Sequence, residues 1–511
     1  MKGNLKRLVG LALAVAMLFS MSVVSYAGES MSDADEIRLN GRVSDNLVEY
    51  NEKDYYYFEL DEAGYVTIGF EHDNFTEERR SWTIVLYDEE SEEIYSFDSY
   101  QNKPKTTSCE LGLAEGVYYI MVKSASYHHD GDYTIKLNYT ESRNWESEFN
   151  DTIIKADEIK VNDEYSGTVR NYNDKDYYEF SLRENGVITI DFKHDNFTEE
   201  RRSWTIRLFD EESEEIYSFD SYQNKPKTSS CNIGLGSGTY YILVEDASYH
   251  HEGKYDLKVN YLNDGIWETE INDSILQATP VNLNTPIKGS IKNYNDKDYF
   301  KVNIPESGYY VVDFLHEDYT ESRRSWEIDF YDGTSNTIGD MDSYQNQVSA
   351  RIRAGYVESG TYYVCVQDAS YHCDKDYTLI ISKANQKTIK MQINNPVFTN
   401  EGKSQNIDST GTVPVVIDGR TLVPIRAIIE GMGGKVDWDG NTQKVTLTYY
   451  SDKMELTLGK TRAYLNGSSK TLDVAPRTIN DRTMLPIRFI SENFGCDVEW
   501  DGSTQTVTIK Y

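Results

Sequence analysis

The chain is poor in the residues that cross-link or catalyse. It has five Cys among 511 residues, too few and too scattered for a disulfide framework. Cys109 and Cys231 occupy equivalent places, Cys365 and Cys373 are close enough in sequence to pair, and Cys496 stands alone; buried free thiols are the preferred reading. Basic charge is also short. Against 85 Asp and Glu there are 51 Lys and Arg, a net −34 at pH 7. That speaks against nucleic acid or anionic lipid as the main partner, since both need a basic surface. No H-E-x-x-H, G-x-S-x-G or P-loop motif occurs. Long apolar runs are confined to the start of the chain. Lys2, Lys6 and Arg7 precede a mostly apolar stretch from Leu8 to Val24, and Ser25-Tyr26-Ala27 offers small residues ahead of a cut before Gly28. This predicts a signal peptide over 1–27, with an apolar run short for a bilayer span. With no Cys near the cut and a strand-like TQTVTIKY at the other end, the expectation is export without a transmembrane anchor, to a secreted, extracellular or wall-associated location.

What the chain does have is repetition. DNFTEERRSWTI at 73–84 recurs at 195–206, and EDYTESRRSWEI at 317–328 is a relative. Trp82, Trp204 and Trp326 are 122 positions apart, as are Asp54, Asp176 and Asp298. A period this long lets each copy bury its own core, so the copies read as beads and not as solenoid turns. Within a copy, short alternating runs such as Asp176-Tyr177-Tyr178-Glu179-Phe180 and Val187–Phe192 are separated by turn signals. The 41 Tyr residues suit half-buried pleated surfaces. The predicted fold class is mostly β: three tandem antiparallel jelly-roll β-sandwiches at 28–143, 144–263 and 264–385, followed by a small α+β domain at 386–511.

Copies two and three carry an E-x-E-x-N-D segment: Glu146, Glu148, Asn150 and Asp151, then Glu268, Glu270, Asn272 and Asp273. A Gly (Gly167, Gly289) and a D-x-D (Asp174 and Asp176, Asp296 and Asp298) follow, and G-x-Y-Y-x-x-V comes later. Copy one has only the later parts, Gly41, Asp54, Gly116, Tyr118 and Tyr119. Over about 35–383 this pattern resembles the bacterial pre-peptidase C-terminal domain, a jelly-roll sandwich akin to the collagen-binding domains of clostridial collagenases. The resemblance implies calcium, held in some members by the acidic linker and the D-x-D loop. The chemistry suits it, because calcium takes six to eight oxygens from carboxylates and amide carbonyls. The twelve Glu, Asp and Asn residues named from copies two and three are therefore candidate calcium ligands, the alternative being a turn with solvated carboxylates.

The drifted third copy separates what is kept from what is only recently duplicated. It loses the acidic run Glu89–Glu93, which becomes Gly333–Thr337, so that run reads as a solvated face. It keeps R-R-S-W, D-S-Y-Q-N and A-S-Y-H. Of these, Trp reads as core. The loops are candidate ligand residues: Tyr100, Gln101, Asn102, Tyr127 and His128 in copy one, Tyr222, Gln223, Asn224, Tyr249 and His250 in copy two, and Tyr344, Gln345, Asn346, Tyr371 and His372 in copy three. Rings, Arg and amides together suit a glycan or an extended peptide; turn closure is the alternative. All eight His lie in the repeats, at spacings that match no common zinc motif.

After about Ala384 the pattern changes. Arg420-Thr421-Leu422-Val423-Pro424-Ile425-Arg426 leads into apolar residues at 425, 428, 429 and 432, a helical spacing closed by Gly433-Gly434. The order returns at Arg482–Arg488, and Arg420 to Arg482 is 62 residues, as is Trp438 to Trp500. This doubled signature resembles the copper amine oxidase N-terminal-like domain, a stalk outside the catalytic domain, common on exported proteins of Gram-positive bacteria. No copper is expected. Asn171-Tyr172-Asn173-Asp174 and Asn293-Tyr294-Asn295-Asp296 only superficially match the cofactor-forming Tyr setting of those oxidases. Arg426 and Arg488 are expected to pair with Glu430 and Glu492, and Asp437–Asn441 to form a hairpin turn.

These observations predict a non-catalytic binding or adhesion protein that presents three repeated modules to a glycan or extracellular protein, with a C-terminal module that tethers or spaces them. Two alternatives stand beside it: an accessory or chaperone-like partner of a separate exported protease, and an extracellular hydrolase using paired carboxylates.

Overall fold

The computed structural model describes residues 28–384, 387–449 and 452–511, with the side chains of 353–356 left aside. The signal-peptide reading of 1–27 lies outside the described residues. The chain divides into two compact units. One runs through Glu184 and takes in Ile188–Ser230 and Ser237–Leu262; the other comprises Asn185–Val187, Cys231–Gly236 and Asn263–Tyr511.

The β-sandwich expectation holds. In the first repeat, one sheet has the order Asp35–Glu36, Lys53–Leu60, Gly116–Ser124, Arg80–Tyr87, Glu93–Tyr100. The other runs Arg42–Asn46, Asp132–Glu141, Gly64–His72, Lys105–Thr107, with Leu111–Leu113 also on the Gly64–His72 strand. The third repeat has the same plan. In the second, the sheet Asp157–Glu158, Lys175–Leu182, Gly238–Asp246, Arg202–Phe209, Glu215–Tyr222 reproduces the first sheet strand for strand. Period-two alternation puts Asp54, Tyr56, Phe58 and Leu60 inward, while Lys53, Tyr55, Tyr57 and Glu59 lie toward solvent. The inward faces meet in a core that includes Ile68, Phe70, Ile84, Ile120 and Tyr133.

One local device recurs in all three copies. The pairing of Arg80–Tyr87 with Glu93–Tyr100 slips between Arg80 and Trp82, and the same slip occurs at Arg202/Trp204 and Arg324/Trp326. Such a bulge breaks the alternation. Consecutive residues Ser81 and Trp82 are therefore both fully buried. The Trp fills the core, as the sequence suggested, its ring tilted against those of Phe70 and His72. The buried Ser81 hydroxyl accepts a hydrogen bond from Gln101 Nε2 at 2.8 Å.

The C-terminal domain is built on an internal two-fold. Arg420–Pro424 pairs antiparallel with Arg482–Pro486, and the register places Val423 opposite Leu485, residues 62 apart. Each strand runs into a short helix, Ile425–Gly431 or Ile487–Asn493. Ile425, Ile428, Ile429 and Met432 are buried as the spacing predicts, and Gly433 ends the turn at a φ of 92°. Arg426 pairs with Glu430 at 3.2 Å and Arg488 with Glu492 at 3.9 Å. None of the five Cys forms a disulfide.

Removing the bulge-anchored indole should cost what a large core truncation costs. Trp204→Ala is expected to destabilise its sandwich by about 3–5 kcal/mol, read as a shift of the earliest unfolding transition of the full chain to lower urea concentration.

Candidate functional site

Two arrangements bring predicted residues together. The first is at the acidic linkers. Between repeats one and two, the linker pairs with both sandwiches: Glu148 bridges to Leu113 and Trp145 to Ser166. Glu148 N–H donates to Gly112 O at 3.2 Å. A Cβ on Gly112 would sit 2.1 Å from Glu146 O, so only glycine lets the linker lie this close. Trp145 stacks on Tyr65 at 4.2 Å. This threading carries Glu146 and Glu148 inward to meet the D-x-D loop.

There Glu146, Glu148, Asp174 and Asp176 are all buried. Glu146 Oε1 accepts from Thr168 N–H at 2.5 Å, and its Oε2 lies 3.2 Å from the Tyr178 and Tyr255 hydroxyls. Tyr255 also donates to Asp176. The sequence reading missed the residue at the centre. Arg170 is itself buried, with its Nε 2.7 Å from Glu148 Oε1 and its guanidinium on Asp174. Its Nη1 donates to Ile94 O of the first repeat at 2.6 Å. Asn150 and Asp151 take supporting places. Asn150 Nδ2 donates to Asp157 at 3.1 Å, and Asp151 Oδ1 caps Lys175 N–H at 3.2 Å.

Before repeat three the cage is rebuilt with Lys in place of Arg. Glu270 N–H donates to Gly234 O at 3.1 Å, and Lys292 Nζ reaches Asp296 Oδ1 at 2.6 Å and also Glu270. Glu268 Oε1 accepts from Ser290 N–H at 2.8 Å, Asn272 Nδ2 lies 3.2 Å from its Oε2, and Tyr377 donates to Asp298. Asp273 caps Lys297 N–H at 3.1 Å. The basic residue had a sequence signal: position 48 is Val, 170 is Arg and 292 is Lys, so a cation appears only in the copies that carry E-x-E.

The charges do not balance. Each cage holds four buried carboxylates against one buried cation, and burial with like-charge neighbours disfavours ionisation. Burial raises Glu146, Glu148, Asp176, Glu268 and Asp298 well above the ordinary carboxylate range, and Glu270 to about 7. Several buried oxygens have no hydrogen-bond partner, among them Glu148 Oε2, Asn150 Oδ1 and Asp176 Oδ1 in the first cage and Asn272 Oδ1 and Asp298 Oδ1 in the second. Glu146, Glu148 and Asp176 each offer an oxygen within 4.8 Å of the others, as do Glu148, Asp151 and Asp174, and Glu268, Glu270 and Asp298. The donor set, hard oxygens in excess negative charge, fits a hard cation.

The second arrangement joins the three retained motifs. Tyr127 N–H donates to Arg80 O at 3.1 Å, Arg80 Nη2 to Ser126 Oγ at 2.8 Å, and the Arg79 guanidinium lies 5.2 Å over the Tyr127 ring. Arg201 over Tyr249 and Arg323 over Tyr371 repeat this at 5.3 Å each. These Tyr side chains are about half exposed, at 52%, 51% and 51%. His128 contacts Ser124 Oγ at 2.9 Å, while His250 and His372 pair with Asp246 and Asp368. Against them lie exposed rings: Tyr172 on His250 at 4.8 Å and Tyr294 on His372 at 5.0 Å, both set aside in the sequence reading, and Tyr50 edge-on to His128, which it did not single out.

The Y-Q-N loop divides. Gln101 and Gln223 are buried and, like half-buried Gln345, donate to the bulge Ser at 2.8 Å. They serve the fold. Tyr100 and Tyr222 sit under Lys103 and Lys225 at 5.4 and 5.0 Å. Asn102 and Asn346 are exposed, while Asn224 and Tyr344 are partly buried.

By fold and site, the chain is a set of β-sandwich modules with carboxylate-lined cages at the linkers and a repeated aromatic surface, followed by a two-fold α+β domain. Residues 404–509 match the family model of the copper amine oxidase N-terminal domain. Collagenase ColA of Clostridium perfringens (strain 13 / Type A) is 24% identical over 310 residues, which cover 54% of this chain and 27% of that protein. The chain thus spans about a quarter of that relative's length. Among solved structures, the pre-peptidase C-terminal domain of a Bacillus anthracis collagenase is 21% identical, covering 20% of this chain and 94% of that one at a TM-score of 0.18. The M60 catalytic domain with the CBM51-1 and CBM51-2 domains of Clostridium perfringens ZmpB is 8% identical, covering 47% and 37% at a TM-score of 0.17. The sandwich repeats are thus similar to the pre-peptidase C-terminal domain, and the C-terminal segment to the copper amine oxidase N-terminal domain. No helix among the described residues is long and apolar enough to cross a membrane.

In repeat one the sequence has Val24 and Tyr26 where the linker glutamates would stand, and Asp54 accepts from Tyr133. Burial pushes its carboxyl up to about 7, with the Tyr133 bond acting the other way. A carboxyl raised in the fold contributes stability that is present below the unfolded value near 4 and is lost as pH rises through 7. Asp54→Asn should flatten that loss. The check is amide exchange of strand Lys53–Leu60, corrected for intrinsic rate, at pH 5 and 7.5 in wild type and variant.

Proposed function

We propose that this is an exported, non-catalytic binding protein that presents three copies of one surface to an extended extracellular polypeptide. The observation that carries the reading is the exposed Tyr held by Arg and flanked by a second exposed Tyr in ring contact with His, rebuilt in the drifted third copy. Exposed aromatic rings are disfavoured on a surface that only needs solubility, and Tyr with Arg is the composition of binding hot spots. An extended chain lays side chains against rings while Arg and His supply directed bonds. The relative named a collagenase makes a fibrous protein the first ligand to try. Three weak sites in tandem gain avidity on a repeating ligand.

The two cages are proposed calcium sites. Calcium would be held by the linker and D-x-D carboxylates with the amide oxygens of Asn150 and Asn272. It would share each cage with the resident Arg170 or Lys292, supply the missing positive charge and stiffen the joint. The copper amine oxidase N-terminal domain is read as a spacer or tether and is given no oxidase activity.

Binding of the full chain to immobilised collagen and to a panel of extracellular proteins and glycans tests the surface. Tyr127→Ala, Tyr249→Ala and Tyr371→Ala together should reduce affinity at least tenfold, without a change in melting temperature. Binding left intact would remove the proposed surface, and exclusive capture by glycans would reassign the ligand. Separately, calcium at a hundredfold excess over its dissociation constant should stabilise the cage-bearing repeats by about 2.7 kcal/mol over chelator-treated protein. An unchanged melting profile at millimolar calcium would dismiss the cation.

A further inference from the structure

The C-terminal domain has a cleft that neither a spacer nor a tether requires. It measures about 840 Å³, within the range of about 300–1,000 Å³ typical of small-ligand sites. Its floor is the domain core. Its walls bring together Trp438, Gln405, Asn406, Arg426, Glu430 and Arg482. Trp438 is the unusual member. It sits on strand Lys435–Asp439, whose inward residue is Val436, and leaves 45% of its surface exposed. The fold gains little from an indole there, because the neighbouring core is filled by Ile425, Ile429, Val445 and Leu447.

The two arginines around it are already matched. Arg426 pairs with Glu430 at 3.2 Å and Arg482 with Asp408 at 3.0 Å. An anionic ligand would meet no unpaired cation and would face the Asp481 carboxylate on the same wall. What the walls do offer is a mixture of N–H donors and carboxylate and amide acceptors beside an open aromatic face. That is the chemistry that recognises a neutral sugar: a ring face covers the apolar C–H side, and fixed polar groups meet the hydroxyls. The domain's two-fold repeats the parts. Trp500, 62 residues on, is 43% exposed, and Arg420 pairs with Asp473 at 2.8 Å as Arg482 does with Asp408.

We propose that this cleft is a saccharide-binding site for a neutral polysaccharide strand, with Trp438 as its platform and Gln405 as a wall donor and acceptor. It is independent of the polypeptide surface assigned to the repeats. The test is titration calorimetry of the full chain with soluble hexamers of N-acetylglucosamine, glucose and mannose, alongside co-sedimentation with purified peptidoglycan sacculi. Binding to at least one probe is expected, with tryptophan emission altered on saturation. Trp438→Ala should weaken it at least tenfold and Gln405→Ala severalfold, while Trp438→Phe retains most of it. Melting profiles of the variants should match wild type, and the Phe variant keeps the test valid if the Ala variant does not. The triple Tyr variant of the repeats should bind the saccharide normally. No binding to any probe at millimolar concentration would overturn the proposal. So would binding indifferent to both Trp438→Ala and Gln405→Ala, or binding abolished only by the triple Tyr variant.

Discussion

The structure turns on an electrostatic debt at its joints. Four carboxylates are gathered out of water around one guanidinium in the first cage and one ammonium in the second. Charges buried in such excess are not tolerated unless protons or a cation join them. Two of the four come from the linker and two from the sandwich that follows, so whatever neutralises the cage also fixes the linker to the sandwich. Arg170 extends this across the joint, because the same guanidinium that faces Glu148 and Asp174 donates to Ile94 O of the preceding repeat. The position of one bead relative to the next is thereby coupled to the ionisation of a buried cluster.

That coupling explains why the basic residue differs between copies without the cage being lost. Arg170 has enough N–H groups to serve the carboxylates and the neighbouring carbonyl together. Lys292 is a compact charge that serves Glu270 and Asp296, and the contact beyond the cage passes to Ser290, whose hydroxyl donates to Asn232 O at 2.6 Å. Repeat one has Val48 at the corresponding place and Val24 and Tyr26 in place of the two linker glutamates, and its Asp54 is met by Tyr133. Cation and carboxylates come and go as a set.

Much of this was legible in the sequence. The 122-residue period, the strand alternation and the 62-residue two-fold follow from residue order, because side-chain direction in a strand is fixed by position. The carboxylates could be grouped from their motif, but their partner could not, since a lone Arg twenty-two residues after Glu148 has no motif of its own. The R-R-S-W segment was legible at its Trp, read as core, but not at its bulge. Its retention looked like function, and part of it is a bulge: Ser81 and Trp82 both turn inward, and Gln101 locks the Ser. Once that structural share is removed, Arg79 and Tyr127 remain, and they need exposure and stacking to be seen. Tyr172, set aside as a false cofactor motif, lies against His250 for the same spatial reason.

A binding array gains from repetition only if its sites are held at a spacing the ligand can match. Flexible linkers would dilute the second and third encounters, whereas a joint with fixed geometry keeps effective concentration high for a ligand of the right period and low for others. Under the proposed function, the first cage, whose Arg170 ties repeat two to Ile94 of repeat one, would provide that fixity at the cost of buried charge. The Tyr and Arg surfaces, by contrast, are attached to the bulge that each sandwich needs to close its own core. Drift in the acidic run of copy three therefore leaves the surface untouched. Selection on fold alone would preserve Ser81, Trp82 and Gln101 and their counterparts. It gives no reason to keep Arg323 over Tyr371 at the same 5.3 Å found for Arg201 and Tyr249, and that unexplained retention is the strongest argument that the exposed ring is there to be covered.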